Sequence, residues 1–204
     1  MRAWRLHELG DPWEVLHLEE VESPQPGEGE ARIHVDATDL NFADILQCQG
    51  VYQERIDPPF TPGMSVAGTV MEVGSGAELS VGDRVLGLTT AGWGGYAEEA
   101  IVRGRGVRHV PDDVPLATAA AMNVIYGTGW FALHRRGQIR PGETVLVLAA
   151  AGGVGSAAVQ MAKVHGCRVI AAAGGAEKVA VCHQLGADVV IDYTNDDLYQ
   201  SVMD

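Results

Sequence analysis

The residues with the clearest chemical meaning form a glycine-rich turn over residues 149–155, between an apolar run and a run with helical spacing. The apolar run, Thr144–Leu148, suits a strand that is buried on both faces of a parallel sheet. After the turn, residues 156–164 have the spacing of a helix. Glycine lets the backbone approach phosphates, and the free N–H groups and dipole of a helix start favour their negative charge. We therefore expect the turn to bind a pyrophosphate.

The turn meets the dinucleotide-binding fingerprint in part, because Ala150 stands where the first glycine is expected. Gly152 and Gly155 occupy the second and third glycine positions. A second apolar run, Arg168–Ala173, follows at the distance of a strand–helix–strand unit, which favours a cofactor site over a tight turn without a ligand. The expected cofactor-binding residues of the turn are Ala151, Gly152, Gly153, Val154 and Gly155.

The residues after Arg168–Ala173 indicate which dinucleotide fits. An NAD-specific fold places Asp or Glu at the end of this strand to bind the ribose 2′-hydroxyl. Here Gly174 and Gly175 follow the run, so no carboxylate there would repel a 2′-phosphate. Lys178 and the Tyr193 hydroxyl could reach such a phosphate, although Lys178 could instead be a solvated helix residue and Tyr193 an aromatic at a strand end. The sequence predicts NADPH as the cofactor.

The elements that must position this site fall into two parts, residues 1–122 and 123–204. Short apolar–polar runs separated by glycine and proline turns are typical of a small, curled, partly barrel-like β domain in the first part. The second part has the pattern β-α-β-α-β-α, so the predicted fold class is α/β. Strands are expected over 2–7, 15–21, 31–35, 66–74, 81–87, 95–102, 144–148, 168–173 and 188–193. Helices are expected over 41–47, 116–122, 128–136, 156–164, 177–185 and from 196.

The composition is that of an ordinary globular protein, with 47% hydrophobic and 20% charged residues. Its net charge of −13 argues against nucleic acid or an anionic membrane as a partner. The most apolar run, 117–133, is broken by Asn123 and two glycines and is expected to be too short to span a bilayer. There is no signal-peptide pattern, and the 3 cysteines form no CxxC pair, which is typical of reduced thiols in a cytoplasmic protein. No two histidines have metal-ligand spacing, so no metal is expected.

A series of short motifs runs in order along the whole chain. They are Asn41-Phe42-Ala43-Asp44 with Gly50-Val51-Tyr52, Pro62-Gly63 through Ala67-Gly68, Val81-Gly82-Asp83-Arg84-Val85, Thr128-Gly129-Trp130-Phe131-Ala132-Leu133, Pro141-Gly142-Glu143-Thr144-Val145-Leu146-Val147 and the glycine-rich turn. In this order and spacing they resemble the medium-chain dehydrogenase/reductase superfamily, and within it the zinc-free NADPH:quinone oxidoreductase branch that includes zeta-crystallin. The resemblance implies a GroES-like catalytic domain over 1–122 and a Rossmann domain over 123–204, with the active site in the cleft between them.

The chain differs from this family at three points. Ser65 stands where members of this type usually carry Glu, and Asn123 places an amide among apolar neighbours. The third is length, since the chain stops after the third strand of the Rossmann domain. The resemblance therefore implies the first half of the doubly wound sheet, in a fragment or a truncated product. A homodimer is expected only if the full-length fold is present, because relatives dimerise through an edge strand that this chain does not include.

The resemblance also implies roles for side chains of the first part. Asn41 would orient the substrate carbonyl, and Asp44 would fix the neighbouring hydrogen-bond network. Tyr52 would hydrogen-bond the substrate oxygen or donate a proton to it. From the residues alone, Asn41 could instead cap the following helix, and Asp44 could simply face solvent.

On the cofactor side, the resemblance implies that Thr128 touches the nicotinamide. Lys178 and Tyr193 match a Lys and a Tyr that bind the 2′-phosphate in the quinone reductases.

The expected reaction is hydride transfer from NADPH to a quinone or another α,β-unsaturated carbonyl, without a metal. A conjugated oxygen accepts the developing charge, so hydrogen bonds can supply the stabilisation. One alternative is reduction of an enoyl thioester, which the acidity of the chain disfavours because the carrier is anionic. Another is a non-catalytic NADPH-binding protein, supported only by Ser65 and Asn123.

Overall fold

A computed structural model describes residues 1–203, and these form two compact units, one over Met1–Asn123 and one from Val124 onwards. The strands are β1 (Arg2–Arg5), β2 (His17–Glu20), β3 (Glu30–Thr38), β4 (Ser65–Val73), β5 (Arg84–Leu88), β6 (Glu99–Arg103), β7 (Arg108–His109), β8 (Thr144–Leu148), β9 (Arg168–Ala173) and β10 (Val189–Asp192). The helices are α1 (Pro12–Val15), α2 (Phe42–Cys48), α3 (Leu116–Trp130), α4 (Gly153–Val164), α5 (Ala176–Gln184) and α6 (Leu198–Met203).

The first unit is built on a five-stranded antiparallel sheet in the order β6-β3-β4-β5-β7, beside a two-stranded ribbon of β1 and β2. The register of β3 on β4 shifts next to Ile33 and again before Ala37, and such irregularities bend and twist a strand. Gly68 of β4 lies against the His34 carbonyl, where a Cβ would overlap the oxygen. The main core cluster of this sheet consists of Ala31, Ile33, Val66, Val70, Val85, Ala100, Val102 and Val107. The unit is the GroES-like antiparallel β domain that the sequence predicted.

The second unit is a parallel three-stranded sheet in the order β10-β9-β8, with α4 and α5 as its crossover helices. The strands predicted over Thr144–Leu148 and Arg168–Ala173 are confirmed. This βαβαβ order is the first part of a Rossmann fold, as predicted.

The expectation that β8 is buried on both faces is wrong. Within the described residues β8 pairs with β9 alone, and Leu146 and Leu148 are 41% and 59% exposed. An apolar run indicates that a strand is suited to burial, whereas its actual burial depends on the elements that pack beside it.

One continuous helix, α3, replaces the two helices predicted over 116–122 and 128–136. It passes directly into a π-helical turn over Phe131–Arg136. The residues between the two predicted helices are helical as well, and the Asn123 side chain among them donates to Ser65 Oγ.

The length limit expected for the apolar run 117–133 is also wrong. The helical stretch Leu116–Arg136 has 21 residues and a mean hydropathy of 1.2, so by length and composition it could cross a membrane. Only 17% of its most apolar window is buried. A single helix of this kind is weak evidence, and the absence of a membrane partner stays a prediction.

Smaller differences lie at element ends. The strand predicted from residue 15 begins at His17, because the preceding residues form helix α1, which starts at Pro12 and ends at Val15. Residues 81–83 form a turn before β5, and β6 begins at Glu99 instead of residue 95. Helix α4 begins at Gly153 and not at residue 156, so the last glycines of the turn belong to its first turn.

Candidate functional site

The glycine-rich turn joins the end of β8 to the start of α4 in a tight loop. Ala149 adopts a positive φ of 50°, which is uncommon outside glycine, and its carbonyl accepts a hydrogen bond from Gly152 N–H at 2.9 Å. A Cβ on Gly155 would overlap the Ala149 carbonyl oxygen and come within 2.8 Å of the Ala150 Cα. The third fingerprint glycine is therefore required by the close packing of the helix start on the strand end.

Gly152 is the N-cap of α4, and Gly153, Val154 and Gly155 form its first turn. The N–H groups of a first turn have no acceptor within their own helix, so they can donate to an anion. The structure thus places the predicted residues from Ala151 to Gly155 together at a helix N-terminus, where the chemistry fits a pyrophosphate.

Helix α3 covers this turn from one side. The Ile125 side chain lies next to Gly153, whose Cβ would be 3.1 Å from Ile125 Cγ2. Thr128 is exposed and follows Ile125 by three positions, so the two residues are neighbours on the helix surface. The contact of Thr128 with the nicotinamide stays a prediction.

The loops after β9 and β10 meet at Gly174. A Cβ there would be 2.7 Å from Tyr193 Cε2 and 3.0 Å from its hydroxyl oxygen, so the tyrosine ring lies directly on the glycine. Tyr193 is 45% exposed. Lys178 is exposed in the first turn of α5. Glycine at 174 thus lets the Tyr193 ring approach the end of β9, where the ribose that carries the 2′-hydroxyl or 2′-phosphate is expected to bind.

The sequence did not single out Asp192, which connects these two loops. Its carboxylate accepts hydrogen bonds from Gly175 N–H at 2.9 Å and from the Thr194 hydroxyl at 2.6 Å. Those bonds lower the pKa of Asp192 to about 2, with the Gly175 bond as the largest cause.

In the first unit, Asp44 is buried at 3% exposure, so the alternative that it faces solvent is wrong. Its carboxylate accepts three hydrogen bonds, from Asn41 N–H at 2.8 Å, Met64 N–H at 3.2 Å and the Tyr96 hydroxyl at 3.0 Å. The first of these links residue N3 of α2 back to its N-cap, which is half of a capping box. Asp44 therefore fixes the start of α2 against the segment before β4.

The sequence analysis missed Tyr96, because its contact with Asp44 joins residues 52 positions apart. Burial is the largest cause that raises the pKa of Tyr96, and the Asp44 charge adds to it. Burial likewise raises the pKa of the Cys48 thiol to about 11. Both groups therefore stay neutral at physiological pH, and Tyr96 acts as a hydrogen-bond donor.

Asn41 is the N-cap residue of α2, as the bland alternative predicted, but its amide nitrogen is shielded from solvent without a hydrogen-bond partner. Both Asp39 carboxyl oxygens are shielded and unpartnered as well. Burial raises the pKa of Asp39, while the nearby Asn41 amide opposes the rise. Tyr52 is half-buried in the loop after α2 and is held there by its N–H bond to the Leu46 carbonyl at 3.2 Å.

The two residues that depart from the family pattern bind each other. Asn123 Nδ2 donates to Ser65 Oγ at 2.9 Å, and Ser65 has no exposed surface. The bond joins α3 to the first residue of β4, next to Met64 in the chain. A neutral hydrogen-bonded pair thus occupies the two positions at which the sequence departs from the expected pattern.

No group of three or more His, Cys, Asp or Glu side chains within residues 1–203 is placed to hold a metal ion. The expectation that the protein uses no metal stays a prediction.

Comparison with protein families gives two matches. The family described as "Alcohol dehydrogenase GroES-like domain" matches residues 27–112, and the family described as "Zinc-binding dehydrogenase" matches residues 153–204. The two matched ranges lie one in each unit.

Individual relatives agree. "Quinone oxidoreductase-like protein 2" of Bos taurus is 45% identical over 190 residues, which are 92% of this chain and 54% of that protein. The solved quinone oxidoreductase of Thermus thermophilus, studied also in complex with NADPH, is 42% identical with a TM-score of 0.82, covering 95% of this chain and 60% of its own. That of Escherichia coli, complexed with NADPH, is 31% identical with a TM-score of 0.89, covering 98% and 61%. The chain spans little more than half the length of the curated relatives it matches.

Proposed function

The chain belongs to the quinone oxidoreductase branch of the medium-chain dehydrogenase/reductase superfamily, and on that premise we propose that it takes part in NADPH-dependent reduction of a quinone or another α,β-unsaturated carbonyl. The observation that carries the proposal is the pair of anion-compatible loops in the second unit. One is the glycine-rich helix start, and the other is the acid-free end of β9 at Gly174, covered by Tyr193.

The cofactor assignment rests on charge and space. The first turn of α4 offers backbone donors to the pyrophosphate, and Lys178 with the Tyr193 hydroxyl offers donors to a 2′-phosphate. Asp192 lies nearby, but its oxygens are occupied by Gly175, Thr194 and Asn195. The Asp192 carboxylate is thus largely engaged by the protein's own donors, and the position at the end of β9 where an NAD-specific fold carries an acid holds Gly174, which disfavours NADH.

The bound nicotinamide would supply a hydride, and the product oxygen then needs a proton or hydrogen bonds. The Asn41 amide group is shielded next to Asp39 and would turn towards the substrate to donate to a carbonyl oxygen, while Asp44 holds the Asn41 backbone in place. Tyr52 would donate the proton or a hydrogen bond, and Thr128 would contact the nicotinamide. Removal of a single such donor costs roughly 100-fold in turnover when it acts on the developing charge.

The first test is a fluorescence titration of the chain with NADPH and with NADH, side by side. We expect preferential NADPH binding, and we expect Lys178→Ala to weaken it by roughly tenfold, the effect of losing one charge-assisted hydrogen bond of about 1.4 kcal/mol. Its affinity for NADH should stay within about twofold.

Arg140→Ala is the matched control, because it removes an exposed cation from the same unit without touching the predicted adenosine end. An equal loss in both variants would assign the effect to net charge. A preference for NADH would refute the roles of Lys178 and Tyr193. If NADPH binds, turnover of quinones and of enones on this chain tests the substrate class.

A further inference from the structure

One carboxylate, that of Asp192 at the end of β10, links the two loops that are proposed to recognise the adenosine end of the cofactor. Oδ1 accepts from Gly175 N–H at 2.9 Å, from Thr194 N–H at 3.1 Å and from the Thr194 hydroxyl at 2.6 Å. Oδ2 accepts from Asn195 Nδ2 at 2.9 Å. The protein itself thus supplies four donors to this carboxylate, three of them to Oδ1.

These bonds fix the groups on either side of the site. Gly175 is the N-cap of α5 with a φ of 89°, and its N–H group points to Asp192. Lys178 lies in the first helical turn that follows, so the Gly175 bond sets where that turn begins. On the other loop, Tyr193 directly follows Asp192, and its N–H group donates to the Ala173 carbonyl at 3.2 Å. The Tyr193 ring then lies on Gly174.

The carboxylate does not suit a direct role in cofactor binding. Its charge would repel a phosphate, and most of its acceptor capacity is taken by donors of the protein itself. Its value lies in the geometry that it imposes on donors from two loops, since loops are otherwise the most mobile parts of a domain. An Ala at this position would release both loops at once.

We propose that Asp192 is a positioning residue for NADPH specificity, holding Tyr193 and the start of α5 in the arrangement that binds the 2′-phosphate. The proposal rests on the proposed function and extends it to a residue that does not contact the cofactor. If the loops around the 2′-phosphate move, binding of NADPH should weaken. The pyrophosphate contacts of α4, which NADPH and NADH share, should stay intact.

The test compares Asp192→Ala and Asp192→Asn with the unaltered chain, by fluorescence titration with NADPH and NADH. Competition by adenosine 2′,5′-bisphosphate and by 5′-AMP isolates the 2′-phosphate. In Asp192→Ala we expect the preference for NADPH, and for the bisphosphate, to fall by roughly tenfold, as if one charge-assisted hydrogen bond were lost. Asp192→Asn keeps an acceptor for Gly175 N–H, so it should restore most of the preference.

Asp188→Ala is the matched structural control. Asp188 is a carboxylate of the same unit that pairs with Lys163 at 2.7 Å and accepts the Val169 N–H at 2.6 Å, and among the described residues its side chain makes no hydrogen bond to either loop. It should lower the melting temperature and leave the NADPH-to-NADH ratio unchanged. If Asp192→Ala does not fold, Thr194→Val and Asn195→Ala, each of which removes one donor to the carboxylate, take its place and should each lower the ratio by a smaller factor.

The proposal is overturned if the unaltered chain prefers NADPH and Asp192→Ala leaves the ratio of NADPH to NADH affinity unchanged, whether both affinities fall equally or neither falls. Failure of the proposed function has a different signature, because it appears in the unaltered chain as no preference for NADPH. In that case Lys178→Ala would have no effect either, and both proposals fail.

Discussion

The bond between Asn123 and Ser65 offers a thermodynamic test of the first unit. Asn123→Ala removes a neutral hydrogen bond worth about 1 kcal/mol and leaves a hydroxyl with no exposed surface partly unsatisfied, which costs a further ~1–2 kcal/mol. Alanine is the better helix former, which returns roughly 0.6 kcal/mol in α3. The variant should therefore be less stable by about 1.5–2.5 kcal/mol.

The partner variants complete a double-mutant cycle. Ser65→Ala should cost about 1 kcal/mol, because the Asn123 amide is only half-buried and can turn towards water. Removing both side chains together leaves no unsatisfied group, so Ser65→Ala with Asn123→Ala should lose less than about 1 kcal/mol in total. The expected coupling energy is about 1.5–2.5 kcal/mol.

The assay is urea unfolding followed by circular dichroism, with all variants compared at constant m value. Thr118→Ala, an exposed position of the same helix, measures the helix-propensity gain alone. If the losses from the two single variants simply add, to within about 0.3 kcal/mol, the two side chains do not interact and the reasoning fails. A fall in the m value would show instead that the two units unfold separately.

Two further predictions concern protonation and thiol chemistry. The fold lowers the pKa of Asp188, chiefly through Lys163, and that of Asp192 to about 2. Each carboxylate therefore stabilises the chain fully above its unfolded pKa of about 4, and the contribution is lost as pH falls through the folded pKa, which for Asp192 is about 2. In Asp192→Asn the urea midpoint should change less between pH 5 and pH 3 than it does in the unaltered chain. An equal change in both proteins would contradict the bond geometry. Cys48, Cys167 and Cys182 are buried, so a disulfide reagent should react slowly with the folded chain and with 3 thiols in urea. Rapid labelling of the folded chain would show that one of these sites opens.

Short-range patterns predicted the second unit well. The strands β8 and β9 lie where continuous apolar runs placed them, and the glycine-rich turn was recognised from its strand and helix context. Position 155 illustrates the reason, since the packing that forbids a side chain there involves residues only five or six positions away. Local sequence carries such information.

Long-range contacts explain what was missed. Tyr96 donates to Asp44, 52 positions earlier in the chain, and Asn123 donates to Ser65, 58 positions earlier. Asp192 looked like an ordinary strand end, because its importance comes from donors on a loop 17 positions before it and on its own loop. No spacing rule connects such positions, so only the folded chain brings them together.

The edge position of β8 has a consequence for how the protein behaves in solution. Within the described residues this strand offers one unpaired row of backbone N–H and C=O groups, flanked by exposed leucines and with no charge or proline to block it. Such an edge is a template for strand addition by another chain. Self-association through β8 would grow with concentration and salt, against the mutual repulsion of a strongly acidic chain. Dilution and low ionic strength are therefore the conditions under which the isolated chain should be easiest to keep monodisperse.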